Sequence, residues 1–73
     1  WRIMLIHNLQ VTLKDSDKKL VFHIIETKRH FDITWLVADE VVDHDSIEKE
    51  TGDETIDDLM KILVADGLTV EKL

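Results

Sequence analysis

The 73-residue chain has no cysteine, no proline and no tyrosine, and only two glycines. Without cysteine it has neither a disulfide framework nor a thiolate zinc site. With Gly52 and Gly67 as its only glycines, it cannot form G-x-G-x-x-G or G-x-x-x-x-G-K, the loops that cradle phosphates. Collagen-like and Pro/Gly-rich linker sequence is excluded by the same shortage. No apolar run approaches the ~18 residues of a membrane-spanning helix. No charged segment followed by an apolar stretch marks a secretory leader. The lack of cysteine fits any compartment, and the cytoplasm is the default expectation.

What the chain does have is aliphatic side chains and acid. Hydrophobic residues make up 44%, too many for a disordered chain. The length allows a single small domain over residues 1–73. A start at Trp1 rather than Met is read as a processed chain, a domain excised from something longer, or an incomplete sequence. A core this small, with no disulfide, leaves a margin of about a few kcal/mol. A second copy or a partner chain is therefore expected to supply part of the core.

The net charge of −7 is unevenly spread. Residues 1–38 carry six basic residues and four acids, a net +2. Residues 39–73 carry three and twelve, a net −9.

Odd positions from Ile3 to Leu13 are apolar apart from His7, and the even positions from Asn8 onward are polar. That period of two predicts a half-buried strand. Met4 and Ile6 break the polar face, so the start of this strand is expected to be covered on both sides. Asp15, Ser16 and Asp17 form a turn. Residues 19–29 are apolar on both faces and predict a central strand, paired with the first as a hairpin. Residues 31–38 alternate again, with Phe31, Ile33, Trp35 and Val37 on one face. This third strand can run on into residues 41–43 after a kink at Asp39–Glu40, and a helix over 34–42 is the competing reading.

Residues 43–54 have Ile47 as their only hydrophobic side chain and read as a loop, with room for one helical turn. Thr51-x-x-Glu54 has the pattern of a capping box, with Asp53 as the alternative N-cap. Ile56, Leu59, Met60 and Leu63 then form an amphipathic stripe, expected to span about four turns. Acids crowd the first turns, where the helix dipole favours them. Gly67 stops the helix, and Leu68, Val70 and Leu73 suggest a short last strand. The expected fold is α+β: a hairpin extended by one or two antiparallel strands, with one C-terminal helix packed on one face.

Each candidate chemistry has a plainer competitor. His7 and His23 are expected as cross-strand neighbours that could start a zinc site, but no H-x-x-x-H completes it. Asp43-His44-Asp45 with Glu48 and Glu50 is the densest set of oxygen ligands. Ile47 spoils the calcium-loop pattern, which leaves a solvated acidic loop. Ser16 and Ser46 lie outside any nucleophile motif. Lys28-Arg29-His30, with Phe31 and Trp35 behind it, resembles a strand-binding patch, with Lys18 and Lys19 at the opposite hairpin end. The negative net charge argues against nucleic acid. Trp35 reads as core, and Trp1 is expected to pack on the sheet or on a partner.

These readings converge on a non-catalytic interaction module without metal or cofactor, meeting a basic protein partner through Asp43, Asp45 and Glu48 in the loop and Asp57 and Asp58 on the helix. The alternative is a structural domain of a larger enzyme or assembly that forms a homodimer through the second apolar face of strand two. No membrane contact is expected.

Overall fold

A computed structural model describes residues 4–73; Trp1, and the packing expected of it, lies outside the described residues. The elements are β1 (Leu5–Thr12), β2 (Lys19–Glu26), β3 (His30–Val37), β4 (Glu40–Glu48), α1 (Ile56–Ala65) and β5 (Thr69–Lys72). All pairings are antiparallel, and the strand order is β4-β3-β2-β1-β5. Four strands meander outward to the β4 edge. The chain then crosses back as α1 and adds β5 against β1. The α+β fold with one C-terminal helix and a short last strand is the one the sequence predicts.

β2 is the middle strand of five, as its two apolar faces require. Leu9, Val11, Phe22, Ile24, Phe31 and Ile33 project from the three central strands to one side, where Ile56 and Leu59 of the helix close the core. Met60 and Leu63 pack at its margin. Burying each such side chain is worth roughly 1.5–3 kcal/mol, and these residues hold the sheet and helix together. Met4 and Ile6 are exposed, not covered on both sides. They precede or begin β1 at its open end, beyond the core packing.

Three local expectations are corrected. The Asp39–Glu40 kink is a two-residue hairpin turn. Ala38 and Asp39 sit at φ 49° and 67°, and Val37 lies opposite Glu40. Two successive left-handed residues match the twist of the flanking strands, and the helix over 34–42 does not form. The expected loop at 43–54 is strand as far as Glu48. β4 pairs with β3 on one side only, and of its nine residues all but Ile47 are exposed. An edge strand that packs only Ile47 against the core has no need of apolar alternation, so its composition resembled a loop.

The third correction concerns the helix start. The N-cap is Thr55, neither Thr51 nor Asp53. Thr55 Oγ1 accepts the Asp58 N–H at 3.4 Å, and Asp58 Oδ2 accepts the Thr55 N–H at 2.8 Å, so the box lies four residues further on than expected. The helix has ten residues, nearer three turns than four. Its end is as expected. Gly67, at φ 93°, donates to Val64 and Leu68 donates to Leu63, the two bonds of a Schellman closure.

Ala38 pays a steric cost for its left-handed backbone that glycine or asparagine would reduce. The double substitution Ala38→Asn/Asp39→Gly should stabilise the domain by roughly 0.5–1 kcal/mol in urea unfolding. Destabilisation would contradict the turn assignment. Leu59→Ala should cost about 2–5 kcal/mol by the same measurement.

Candidate interaction surface

The ladder sets how β4 presents its groups. Lys49 N–H donates to Arg29 C=O at 2.7 Å. The register runs unbroken from His30↔Glu48 to Trp35↔Asp43. Odd-numbered residues of this stretch therefore turn their backbone polar groups toward β3, and His44, Ser46 and Glu48 turn theirs outward. Two of these outward amides have acceptors in their own strand. His44 N–H donates to Asp43 Oδ1 and Ser46 N–H to Asp45 Oδ1, each at 2.8 Å. Asp43 and Asp45 lie opposite Trp35 and Ile33, so they share the helix side of the sheet, yet both are exposed. Glu48 is exposed opposite His30. Residues 39–48 carry five carboxylates and no Lys or Arg.

The helix acids are elsewhere. Asp57 pairs with Lys72 of β5 at 2.9 Å, both exposed, on the far edge of the sheet from β4. Asp58 is engaged by the cap. Bonds from the Thr55 amide and hydroxyl, helped by Lys61, hold its carboxyl below the ordinary range against a small desolvation cost and the charge of Glu54. The five acids expected as one surface thus fall into two groups, Asp43, Asp45 and Glu48 on β4 and Asp57 and Asp58 on the helix, where Lys72 ties Asp57 to β5.

The four histidines are likewise separated. His7 lies opposite Ile24 and His23 opposite Asn8, so their side chains leave opposite faces of the sheet and the expected zinc pair does not form. His23 Nδ1 lies 2.9 Å from Asn8 Oδ1. Phe31 is buried and cannot stack on a base beside Lys28 and Arg29. Trp35 packs on Phe22 with ring centroids 4.9 Å apart. Among the described residues, no group of three or more His, Asp or Glu is placed to hold a metal ion.

Sequence reasoning missed a charged network at the open end of the β1–β2 pair. Glu26 Oε1 lies 2.9 Å from His7 Nε2, and Glu26 Oε2 accepts Lys49 Nζ at 2.7 Å. The Lys49 side chain is only 4% exposed, and its ammonium sits 4.8 Å from the Phe31 ring centroid. Partial burial raises the Glu26 pKa, but the bonds and charges of Lys49 and His7 outweigh it and leave the carboxyl below its usual value. The available signals were faint. Glu26 is the one acid in the doubly apolar second strand, and Lys49 is the one Lys or Arg between residues 39 and 60.

Beside this network a concavity of about 430 Å³ lies between Lys28–Arg29 and the 48–53 segment. Its wall is shaped by Glu54, whose carboxylate accepts the amides of Glu50, Thr51 and Gly52 at 2.9, 3.1 and 3.0 Å. Backbone bonding, led by Thr51, holds the Glu54 carboxyl below the usual range despite some desolvation. Gly52, at φ 83°, allows the turn that aims these amides together. Thus Glu54 does reach back to the amide of Thr51 as expected, but it does so together with the amides of Glu50 and Gly52, in the loop before the helix and not in its cap.

Comparison of the chain with protein-family models, with curated proteins and with solved structures finds no match.

Glu26, Glu54 and Asp58 all have carboxyls held below their ordinary values of 4.5, 4.5 and 3.8. Ionisation therefore favours the fold. The stability it confers should be complete above those ordinary values and lost as pH falls through the lower folded ones. Urea unfolding across that range should show a falling acid limb, which Glu54→Gln makes shallower; an unchanged limb would contradict the bonding of Glu54. Lys49→Ala, which leaves Glu26 with His7 as its remaining partner, should cost up to about 3 kcal/mol, the lower end for a broken buried pair. Glu26→Leu/Lys49→Met should recover part of that loss.

Proposed function

We propose that the chain is a non-catalytic interaction module, acting in the cytoplasm without metal or cofactor, that offers the acidic β4 edge to a basic protein partner. The observation that carries this reading is the concentration of five carboxylates on residues 39–48 with no cation among them, on a strand exposed at every residue but Ile47. A one-signed surface of this kind raises encounter rates and orients a complementary partner. Asp43, Asp45 and Glu48 are its centre. Asp57 and Asp58 contribute less, because Lys72 and the helix cap already engage them.

A lysine-rich peptide serves as the probe. In an NMR titration it should shift the resonances of Asp43, Asp45 and Glu48, with affinity falling several-fold between about 50 and 150 mM salt. Asp43→Lys/Asp45→Lys/Glu48→Lys should abolish those shifts, and Asp57→Lys/Asp58→Lys should weaken them little. Binding indifferent to salt and to the β4 reversal would contradict the proposal.

A second reading is a structural domain of a larger enzyme or assembly that dimerises through the face away from the helix. Val21 and Leu36 lie opposite each other there, with Ile25 and Ile6 paired alongside, and Ile6 is exposed. Sedimentation should then show a dimer that Leu36→Lys dissociates; a wild-type monomer at high concentration would remove this reading.

A further inference from the structure

The two sheet edges differ in kind. β5 is four residues long, whereas β4 is nine. β4 also exposes Val41 and Val42, at 65% and 56%. A long edge with free amides and exposed β-branched side chains invites another strand. For an antiparallel edge the best-fitting strand is its own copy related by a two-fold axis, because the copy presents the same row of outward donors and acceptors in the reverse order. On β4 that row is His44, Ser46 and Glu48.

We propose that the carboxylates of Asp43 and Asp45 hold this edge closed against a second copy of the chain. Each side chain lies back along its own strand and takes the N–H of the next residue, His44 or Ser46, at 2.8 Å. Those are the donors that an incoming β4 would need. The cap is intramolecular and already formed, so a second strand must displace two carboxylates from each copy before its ladder can close. It must also bring four like charges to the new interface. The bulge between the Trp35↔Asp43 and Leu36↔Val41 pairs shortens the regular stretch further. In the native chain β4 is therefore an edge that can pair but is kept from doing so. This holds whether or not a basic partner uses the same carboxylates.

Removing both caps tests it. Asp43→Ala/Asp45→Ala should self-associate at least about tenfold more tightly than wild type in sedimentation. Hydrogen exchange should show new protection at the amides of His44, Ser46 and Glu48. Asp43→Asn/Asp45→Asn removes the charges but keeps an oxygen acceptor on each side chain, and should retain the wild-type oligomeric state. Asp57→Ala, which removes a carboxylate away from this edge, should also leave that state unchanged. If the double alanine variant fails to fold, Asp43→Ala and Asp45→Ala singly should each show a smaller gain at the one amide released. Three results would overturn the proposal: alanine variants that associate no more than wild type, association without protection at those amides, or an asparagine variant that associates as strongly as the alanine one. The last would assign the closure to charge repulsion and not to the caps.

Discussion

One ten-residue helix has to cover a five-stranded sheet. A helix is about 10–12 Å across with its side chains, and five strands span roughly 19 Å between the outer axes. The helix lies toward the β5 side, and β4 is left outside its cover. Most of the remaining architecture follows from that mismatch. The core is drawn from the three central strands and the first turns of the helix. Asp43 and Asp45 can point to the helix side of the sheet and still meet solvent.

The same constraint decides what the sequence reveals. Apolar alternation records burial on one face, and β1 and β3 carry it because a core lies against them, while β2 between them is apolar on both faces. Ile56, Leu59, Met60 and Leu63 record the helix for the same reason. β4 packs only Ile47 against the core, so Asp43, His44, Asp45 and Ser46 look like a loop even though their ladder to β3 is unbroken. The helix cap was misplaced on similar grounds. Thr51 and Glu54 have the right spacing, but Glu54 gathers three loop amides, and the Thr55–Asp58 pair one turn of pattern later caps the helix. Spacing names the residues able to cap, and the tertiary path of the loop chooses among them. The Glu26–Lys49 pair joins residues 23 positions apart, a separation that no local pattern encodes.

The acidity of the second half has a different meaning once its partners are known. Asp58 caps the helix, Glu54 builds the preceding loop, Asp57 meets Lys72, and Asp43 and Asp45 take outward amides of β4. Much of the charge that looked free in the sequence is thus bonded to the chain's own backbone. The five acids expected as one surface are two groups, one on β4 and one on the helix, and only the β4 group lies in a stretch free of Lys and Arg. A stretch with no cation can close the edge and also attract a basic partner, because both depend on exposed carboxylates along one strand.

Native-state hydrogen exchange along residues 43–49 tests the central claim, that β4 is a paired edge with its even-numbered amides turned outward. Protection should alternate, with Asp45, Ile47 and Lys49 slow because they bond to β3, and His44, Ser46 and Glu48 faster because no strand covers them and the exposed side-chain bonds at His44 and Ser46 open locally. Uniformly fast exchange across the segment would mean a loop, and uniform slow exchange would mean a covered edge; either result would contradict the account.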